Sequence, residues 1–320
     1  MRVALFDRYG PPEELYVGET DRPSMKPEQV LVRVRAVSVN GGEVLARAGK
    51  VRFATALLSR GFPKRIGIDF TGEIADIGSS VTGLRIGDRV WGGMARGFGS
   101  AAEYVAVPPK RLGLVPDGLD LVQSAALPVA TTAITALRDH ARLAPGERLL
   151  VRGASGGVGN VAVQLGHAWG AHVTALASKR HLDLVRELGA DEAIDYADAE
   201  PQSLGGFDVV ADTVGTRLAE FRRLLRPGGR MVTIAFDLDH KLASLGYIAG
   251  SAVHGSGRVR FFSGNPGTAL YDDLAKLVAD GAVRPVVDSV YPLADIAAAH
   301  RALESGGVRG KILVDVAGTP

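Results

Sequence analysis

The stretch that most limits what this chain can become is LLVRGASGGVGNVAVQLGHAWGA, residues 149–171. Three apolar residues, Leu149 to Val151, run into Gly153-Ala154-Ser155-Gly156-Gly157-Val158-Gly159. Val158, Val161, Ala162, Leu165 and Trp169 then recur at helical spacing. Glycine lets the backbone come close to a pyrophosphate, and a helix N-terminus offers free N–H groups and the positive end of its dipole. A tight turn without a ligand is the plainer alternative. The strand–loop–helix setting inside a βαβ unit favours a dinucleotide.

The segments around the loop repeat that unit. RLLVRG (148–153), HVTALA (172–177), FDVVAD (207–212) and RMVTIA (230–235) read as strands. Helices are expected from Val158, before Gly189-Ala190, and ending at Pro227-Gly228-Gly229. This alternation predicts a parallel doubly wound sheet. Just upstream, LVQSAALPVATTAITALRDHARL (121–143) reads as a helical segment interrupted by proline.

The first 120 or so residues follow another pattern. RVALFD (2–7), QVLVRVRAVSV (29–39), GIDFTGEIADIG (67–78), GDRVWGG (87–93) and AAEYVAV (101–107) are short strands punctuated by Gly and Pro, as in an antiparallel barrel or sandwich. Val30, Val32 and Val34 are expected on one face, opposite Leu31, Arg33 and Arg35. From about residue 266 come a helix, an extended segment, a second helix and the strand GKILVDV, too short together to fold alone. The chain is therefore expected to be α/β, with residues 1–120 plus 266–320 in one domain and 121–265 in the other.

Composition excludes several classes of function. The 320 residues contain no cysteine, which removes disulfides, thiol catalysis and cysteine-ligated metal together. The seven histidines are isolated, none paired at metal-ligand spacing. A formal net charge of +2 with scattered Lys and Arg gives no case for nucleic acid or a membrane surface. No apolar run of spanning length or leader pattern is present, so a cytoplasmic location is expected.

The strand 172–177 runs into Ser178-Lys179-Arg180-His181, with no acid before Asp183. NAD-preferring sites place an acid about 20 residues after the loop, on the ribose 2′-hydroxyl. Ser, Lys and Arg would instead hydrogen-bond a 2′-phosphate. The expected cofactor is NADPH.

The order of GASGGVG, ELGADEAIDY (187–196), FDVVADTVG (207–215), LRPGGRMVTI (225–234) and GGVRGKILV (306–314) resembles the quinone oxidoreductase branch of the medium-chain dehydrogenase/reductase superfamily. The resemblance spans essentially the whole chain. It implies a GroES-like β-rich domain, built from the N-terminal part and the tail, and a Rossmann domain inserted between them, with cofactor and substrate in the intervening cleft. The zinc-dependent alcohol dehydrogenases of the superfamily carry an early catalytic Cys and a Gly-His-Glu motif. Here AVSVNGGE (36–43) and Gly67-Ile68-Asp69 stand in those places, so no metal is expected.

Carried over position by position, the resemblance implies a set of cofactor contacts. Gly156, Gly157 and Val158 lie at the pyrophosphate. Ser178 and Arg180, with Lys179, hold the 2′-phosphate, and Tyr196 lies near the adenosine. Thr132, Phe236, Phe262, Ser263 and Asn265 are placed around the nicotinamide half, with Lys311 near the cofactor. The family's VNPxD appears as Val39-Asn40-Gly41-Gly42-Glu43, so Asn40 matches while Gly and Glu replace Pro and Asp. Asn40 is the candidate for orienting the substrate oxygen, or else a turn-former bonded to its own backbone.

With no metal and no nucleophile, the implied chemistry is delivery of a hydride to a quinone or to the β-carbon of an α,β-unsaturated carbonyl. An enoyl-thioester reductase and a non-catalytic NADPH-binding protein are the alternatives. Trp91 borders the cleft or packs in the core, and Tyr104 is expected in the core. Residues 47–65, rich in Arg and Lys around FATALL, form either an apolar lid or a solvated loop. A homodimer formed through the edge strand RVRFF (258–262) is expected.

Overall fold

The computed structural model describes residues 1–51, 61–94, 97–237, 240–251, 253 and 257–318. Residues 52–60, within the segment read as a lid or loop, lie outside them. Along the chain come β1 (Arg2–Phe6), β2 (Tyr16–Glu19), β3 (Val30–Ser38), α1 (Gly41–Arg47), β4 (Lys64–Arg65), β5 (Asp69–Ile77), β6 (Arg89–Gly93), β7 (Tyr104–Val107) and β8 (Leu112–Leu114). The helices α2 (Leu121–Ser124) and α3 (Ala130–Ile134) follow, the latter running into a π-helical turn at Thr135–His140. Next are β9 (Arg148–Arg152), α4 (Gly157–Ala168), β10 (His172–Ala177), α5 (Leu182–Glu187), β11 (Glu192–Asp195), β12 (Phe207–Asp212), α6 (Leu218–Arg222), β13 (Leu225–Thr233), α7 (Lys241–Gly250) and β14 (Val259–Phe261). The tail adds α8 (Thr268–Ala279), β15 (Val287–Pro292), α9 (Ile296–Glu304) and β16 (Lys311–Asp315).

Two compact units result, Met1–Pro128 with Asn265–Pro320, and Val129–Gly264. The sequence reading set the first break at 120. The break falls after Pro128 because α2 packs under the first unit's sheet, where Thr71 Oγ1 donates to the Leu121 carbonyl at 2.6 Å. Ala125 and Ala126 cluster there with Ala36 and Leu313.

In the first unit, the sheet β15-β16-β3-β5-β6-β8 is joined by β7 on β3, beside a smaller sheet β2-β1-β4. The tail completes the larger sheet, because β16 runs antiparallel to β3, pairing Leu313 with Ser38 and Val314 with Val37. Val30, Val32 and Val34 enter the core as their alternation requires, while Arg33 and Arg35 turn out to pair with Glu73 and Asp315. Leu31, outside that core cluster, is buried as well. The register shift between Val34 and Ala36 then exchanges the faces, so that Val37 and Val39 join the same core. That bulge turns Ser38 and Asn40 to the opposite side, where the buried polar residues gather.

The second unit is a six-stranded parallel sheet of order β11-β10-β9-β12-β13-β14. Its inner strands β9, β10 and β12 are buried along most of their length, as the sequence FDVVAD requires of a sheet covered on both faces. Strand order reverses between β9 and β12, the place where such sheets bind ligands at their carboxyl ends. Pro227-Gly228-Gly229 does not end a helix as read from sequence. It lies inside β13, where pairing jumps from Phe207–Leu225 to Val209–Arg230. No helix among the described residues is long and apolar enough to cross a membrane.

Candidate functional site

The glycine loop lies at the switch point, between β9 and α4. Gly153 takes φ +70°, and a Cβ there would meet Thr213 Oγ1 at 2.4 Å. A Cβ on Gly159 would come within 2.0 Å of the Gly153 carbonyl oxygen, so the start of the helix packs directly on the loop backbone. Gly156 caps α4 with no side-chain acceptor, which leaves the first-turn N–H groups of Gly157 and Val158 for an incoming anion. The buried Asn160 amide donates to the carbonyls of Gly156 and Gly157 at 2.9 Å each, and Gln164 holds its oxygen at 3.1 Å. The loop carbonyls are thus tied inward. This arrangement suits a diphosphate.

Beneath the loop, Arg152 Nη1 donates to Asp212 Oδ1 at 2.6 Å and to the Thr216 carbonyl at 2.8 Å, with its guanidinium over Phe221. Asp212 also accepts from Thr233 Oγ1 and from the N–H groups of Val214 and Gly215. Burial pushes the Asp212 carboxyl above its ordinary value, and the attraction of Arg152 opposes that push. The pair clamps the carboxyl ends of β9, β12 and β13 together. Sequence reading missed it, although a charged residue ending each of two apolar strands was a visible signal.

Ser178 follows β10, and its Oγ is buried with no hydrogen-bond partner among the described residues. Lys179 and Arg180 extend into solvent beside it. Tyr196 stands nearby, its N–H bonded to the Ala177 carbonyl and its side chain 62% exposed. An orphaned hydroxyl flanked by two exposed cations fits a phosphate group. At the far end of the sheet edge, Phe262 packs on His140 with ring centroids 4.5 Å apart, and Phe236 meets Phe261 edge-on at 5.5 Å. Thr132 Oγ1 faces Gly264, and Ser263 is exposed. Asn265 belongs to the first unit, where Arg111 donates to its oxygen at 2.5 Å.

A second polar centre lies within the first unit. The Asn40 amide nitrogen donates to the Ser38 carbonyl and to Glu43 Oε1, each at 3.0 Å, and to Asp69 Oδ2 at 3.2 Å. Its oxygen accepts from Lys311 Nζ at 2.7 Å, and the same ammonium donates to the Val39 carbonyl at 2.8 Å. Asn40 therefore does more than close a local turn. Burial lowers the Lys311 pKa, against the pull of Asp69 and Glu43. Sequence reading named Asn40 and Lys311 but not their link, and it treated Glu43 and Asp69 only as departures from a family motif. His300, expected in a bland helical role, is fully buried beside Glu43. Trp91 is fully buried in the core, and Tyr104 is half-buried with Arg22 stacked 4.0 Å from its centroid.

An open hollow of about 670 Å³, lined by Gly205, Gly206, Arg223 and Arg226 among others, lies at the entry ends of β12 and β13, opposite the glycine loop. It has no part in the features above. Among the described residues, no three His, Cys, Asp or Glu side chains group as metal ligands.

A parallel sheet in the 3-2-1-4-5-6 order with a glycine loop at its switch point, in a chain that also folds a β-rich unit, defines a nicotinamide-dependent oxidoreductase of two units. Residues 26–117 match the family model of the alcohol dehydrogenase GroES-like domain, and residues 188–314 match that of the zinc-binding dehydrogenases. The mitochondrial NAD(P)H oxidoreductase RTN4IP1 of Mus musculus is 32% identical, over 99% of this chain and 89% of its own. The chloroplastic NADPH-dependent alkenal/one oxidoreductase of Arabidopsis thaliana is 33% identical, over 91% and 73%. The solved structure of the quinone oxidoreductase from Coxiella burnetii superposes with a TM-score of 0.89 at 29% identity, over 99% of each chain. The chain belongs to the medium-chain dehydrogenase/reductase superfamily, in its zinc-free quinone oxidoreductase-like branch.

Proposed function

We propose that this protein is an NADPH-dependent reductase of quinones or α,β-unsaturated carbonyl compounds. The observation that carries the cofactor preference is the buried Ser178 hydroxyl, without a partner among the described residues, followed directly by Lys179 and Arg180 in a segment with no acid before Asp183. A 2′-phosphate would complete that hydrogen bond and meet two cations, whereas a bare ribose hydroxyl would leave them unused. The names of the Arabidopsis relative and the Coxiella structure support the acceptor class.

On this reading Gly156, Gly157 and Val158 hold the diphosphate through backbone N–H groups, and Arg152 with Asp212 keeps their loop in place. Tyr196 flanks the adenosine. Thr132, Phe236, Phe262 and Ser263, with Asn265, border the nicotinamide half and shield it from water. The bound dinucleotide supplies the hydride. Asn40, held by Lys311, serves the acceptor oxygen that gains charge as the hydride arrives.

A homodimer belongs to the same proposal. β14 is the outermost strand of its sheet, with Phe261, Leu242 and Val253 exposed in the same unit. Light scattering at one chain's mass would remove it. A cytoplasmic location is likewise proposed, although the named relatives above are mitochondrial and chloroplastic proteins.

The test is the rate of NADPH oxidation with a quinone, an enone and an unsaturated acyl thioester, with NADH as control. Turnover of quinone or enone with NADPH and little with NADH supports the proposal. Preference for the thioester moves it to enoyl-thioester reduction. Tight NADPH binding without turnover of any acceptor refutes the catalytic reading.

A further inference from the structure

We infer that Glu43 is held in the fold as a neutral carboxylic acid, and that in this form it is a positioning residue that fixes the Asn40 amide against Lys311. The inference rests on the proposed role of Asn40 at the acceptor oxygen. It extends that role to a side chain buried behind it.

Two carboxylates and one ammonium meet where β3 ends, α1 begins, β5 begins and β16 begins, all nearly cut off from water: Glu43 is 2% exposed, Asp69 7% and Lys311 5%. With both acids ionised the cluster would carry an uncompensated buried negative charge, which protein interiors avoid by taking up a proton. Hydrogen bonding decides which acid takes it. Asp69 Oδ1 accepts from the Ser38 N–H at 3.1 Å and from Ser38 Oγ at 2.9 Å, and Oδ2 accepts from Ser38 Oγ at 2.9 Å and from Asn40 at 3.2 Å. Both Asp69 oxygens are occupied by donors.

Among the described residues, Glu43 is served on one side only. Its Oε1 accepts from the Asn40 amide and the Ile68 N–H, each at 3.0 Å. Its Oε2 faces Nε2 of His300 at 4.0 Å. Neither ring nitrogen of His300 has a partner among the described residues. Burial, and then the nearby Arg47, pulls His300 down to about 3, so the imidazole is neutral and, at 4.0 Å, supplies Oε2 with neither a charge nor a hydrogen bond. The proton therefore belongs on Oε2. Burial, and then the charge of Asp69, pushes Glu43 up to about 8, against the pull of Asn40, Lys311 and the Ile68 N–H.

The groups around Glu43 are Asp69 from β5, Lys311 from β16, His300 from α9 and Arg47 from its own helix. Arg47 is engaged by the Gly10 carbonyl and Glu304. Tyr271 of α8, raised by burial and then by Asp69, stays neutral.

The neutral form matters for Asn40, whose two amide protons already serve Ser38, Glu43 and Asp69. Ionised Glu43 would compete with Asp69 for those protons and draw Lys311 away from the Asn40 oxygen. The orientation would then be lost on the alkaline side.

The test compares Glu43→Gln, which has the shape and charge of the neutral acid, with Glu43→Ala and Asn40→Ala. In the wild type, kcat/KM for the acceptor should fall as pH rises through about 8. Glu43→Gln should remove that limb. Glu43→Ala should lose about tenfold or more at neutral pH, a loss that Gln restores. Difference infrared spectra should show a carboxylic C=O band at neutral pH that is absent from Glu43→Gln. An unchanged alkaline limb in Glu43→Gln, or no such band, overturns the inference. If the band is present but Asn40→Ala leaves acceptor kinetics intact, the acceptor-side reading of Asn40 is what fails, and the positioning role falls with it.

Discussion

Gly159→Ala tests the loop geometry with a single methyl group. A Cβ there would lie 2.0 Å from the Gly153 oxygen, 2.8 Å from its carbonyl carbon and 2.9 Å from Ala154 Cα, all of them backbone atoms with no flexible end to yield. Relieving the shortest contact to 3.0 Å moves the helix start about 1 Å from the loop. Overpacking of this kind costs about 1–3 kcal/mol, and rigid neighbours place this site in the upper half. The same shift misaligns the N–H groups of Gly157 and Val158 with the diphosphate. Losing one hydrogen bond to a charged group costs about 1.5–3 kcal/mol, roughly ten- to hundredfold in Kd. Gly156→Ala is the control, since its Cβ would meet one atom, at 3.4 Å, with an extended backbone at φ −77°. Urea unfolding and NADPH titration by fluorescence should show Gly159→Ala losing both stability and affinity. Gly156→Ala should keep its stability. Wild-type stability and Kd in Gly159→Ala would refute the reasoning.

Three other outcomes follow from the same structure. Ser178→Ala combined with Arg180→Ala should raise the Kd for NADPH about ten- to hundredfold while moving that for NADH little, and equal effects on both would contradict a 2′-phosphate site. Arg152→Met strands the buried Asp212 carboxylate and should cost about 3–5 kcal/mol by urea unfolding, whereas a loss below about 1 kcal/mol would show the clamp to be dispensable. Glu43 is protonated in the folded chain and ionised in the unfolded chain between about 4.5 and 8, so its contribution to stability is complete in acid and is lost as pH rises across that window. The unfolding midpoint of Glu43→Gln should lack that slope, and a slope equal to the wild type's would refute it.

The fold was legible because its signals are local. The glycine loop between an apolar strand and a helix, and the repeated strand–helix alternation, identify the parallel sheet, and the strand FDVVAD has the bounds read from sequence. Pro227-Gly228-Gly229 misled because the same residues that end helices also form bulges in strands. The polar centre of the first unit was only half legible. Ser38, Asn40, Glu43, Asp69, His300 and Lys311 are separated by up to most of the chain, and a register shift in β3 sets which of them face one another. No periodicity in a single sequence carries that shift. The Arg152–Asp212 clamp was hidden for a similar reason, since its partners meet only when β9 and β12 become neighbours.

The most direct test of the central claim follows the transferred hydride itself. The protein would be incubated with an enone and NADPH deuterated at the transferring position of the nicotinamide, and the product examined by mass spectrometry and NMR. The account predicts one deuterium on the β-carbon of the saturated product. A product without deuterium, or no reduction of enone or quinone at all, would contradict it.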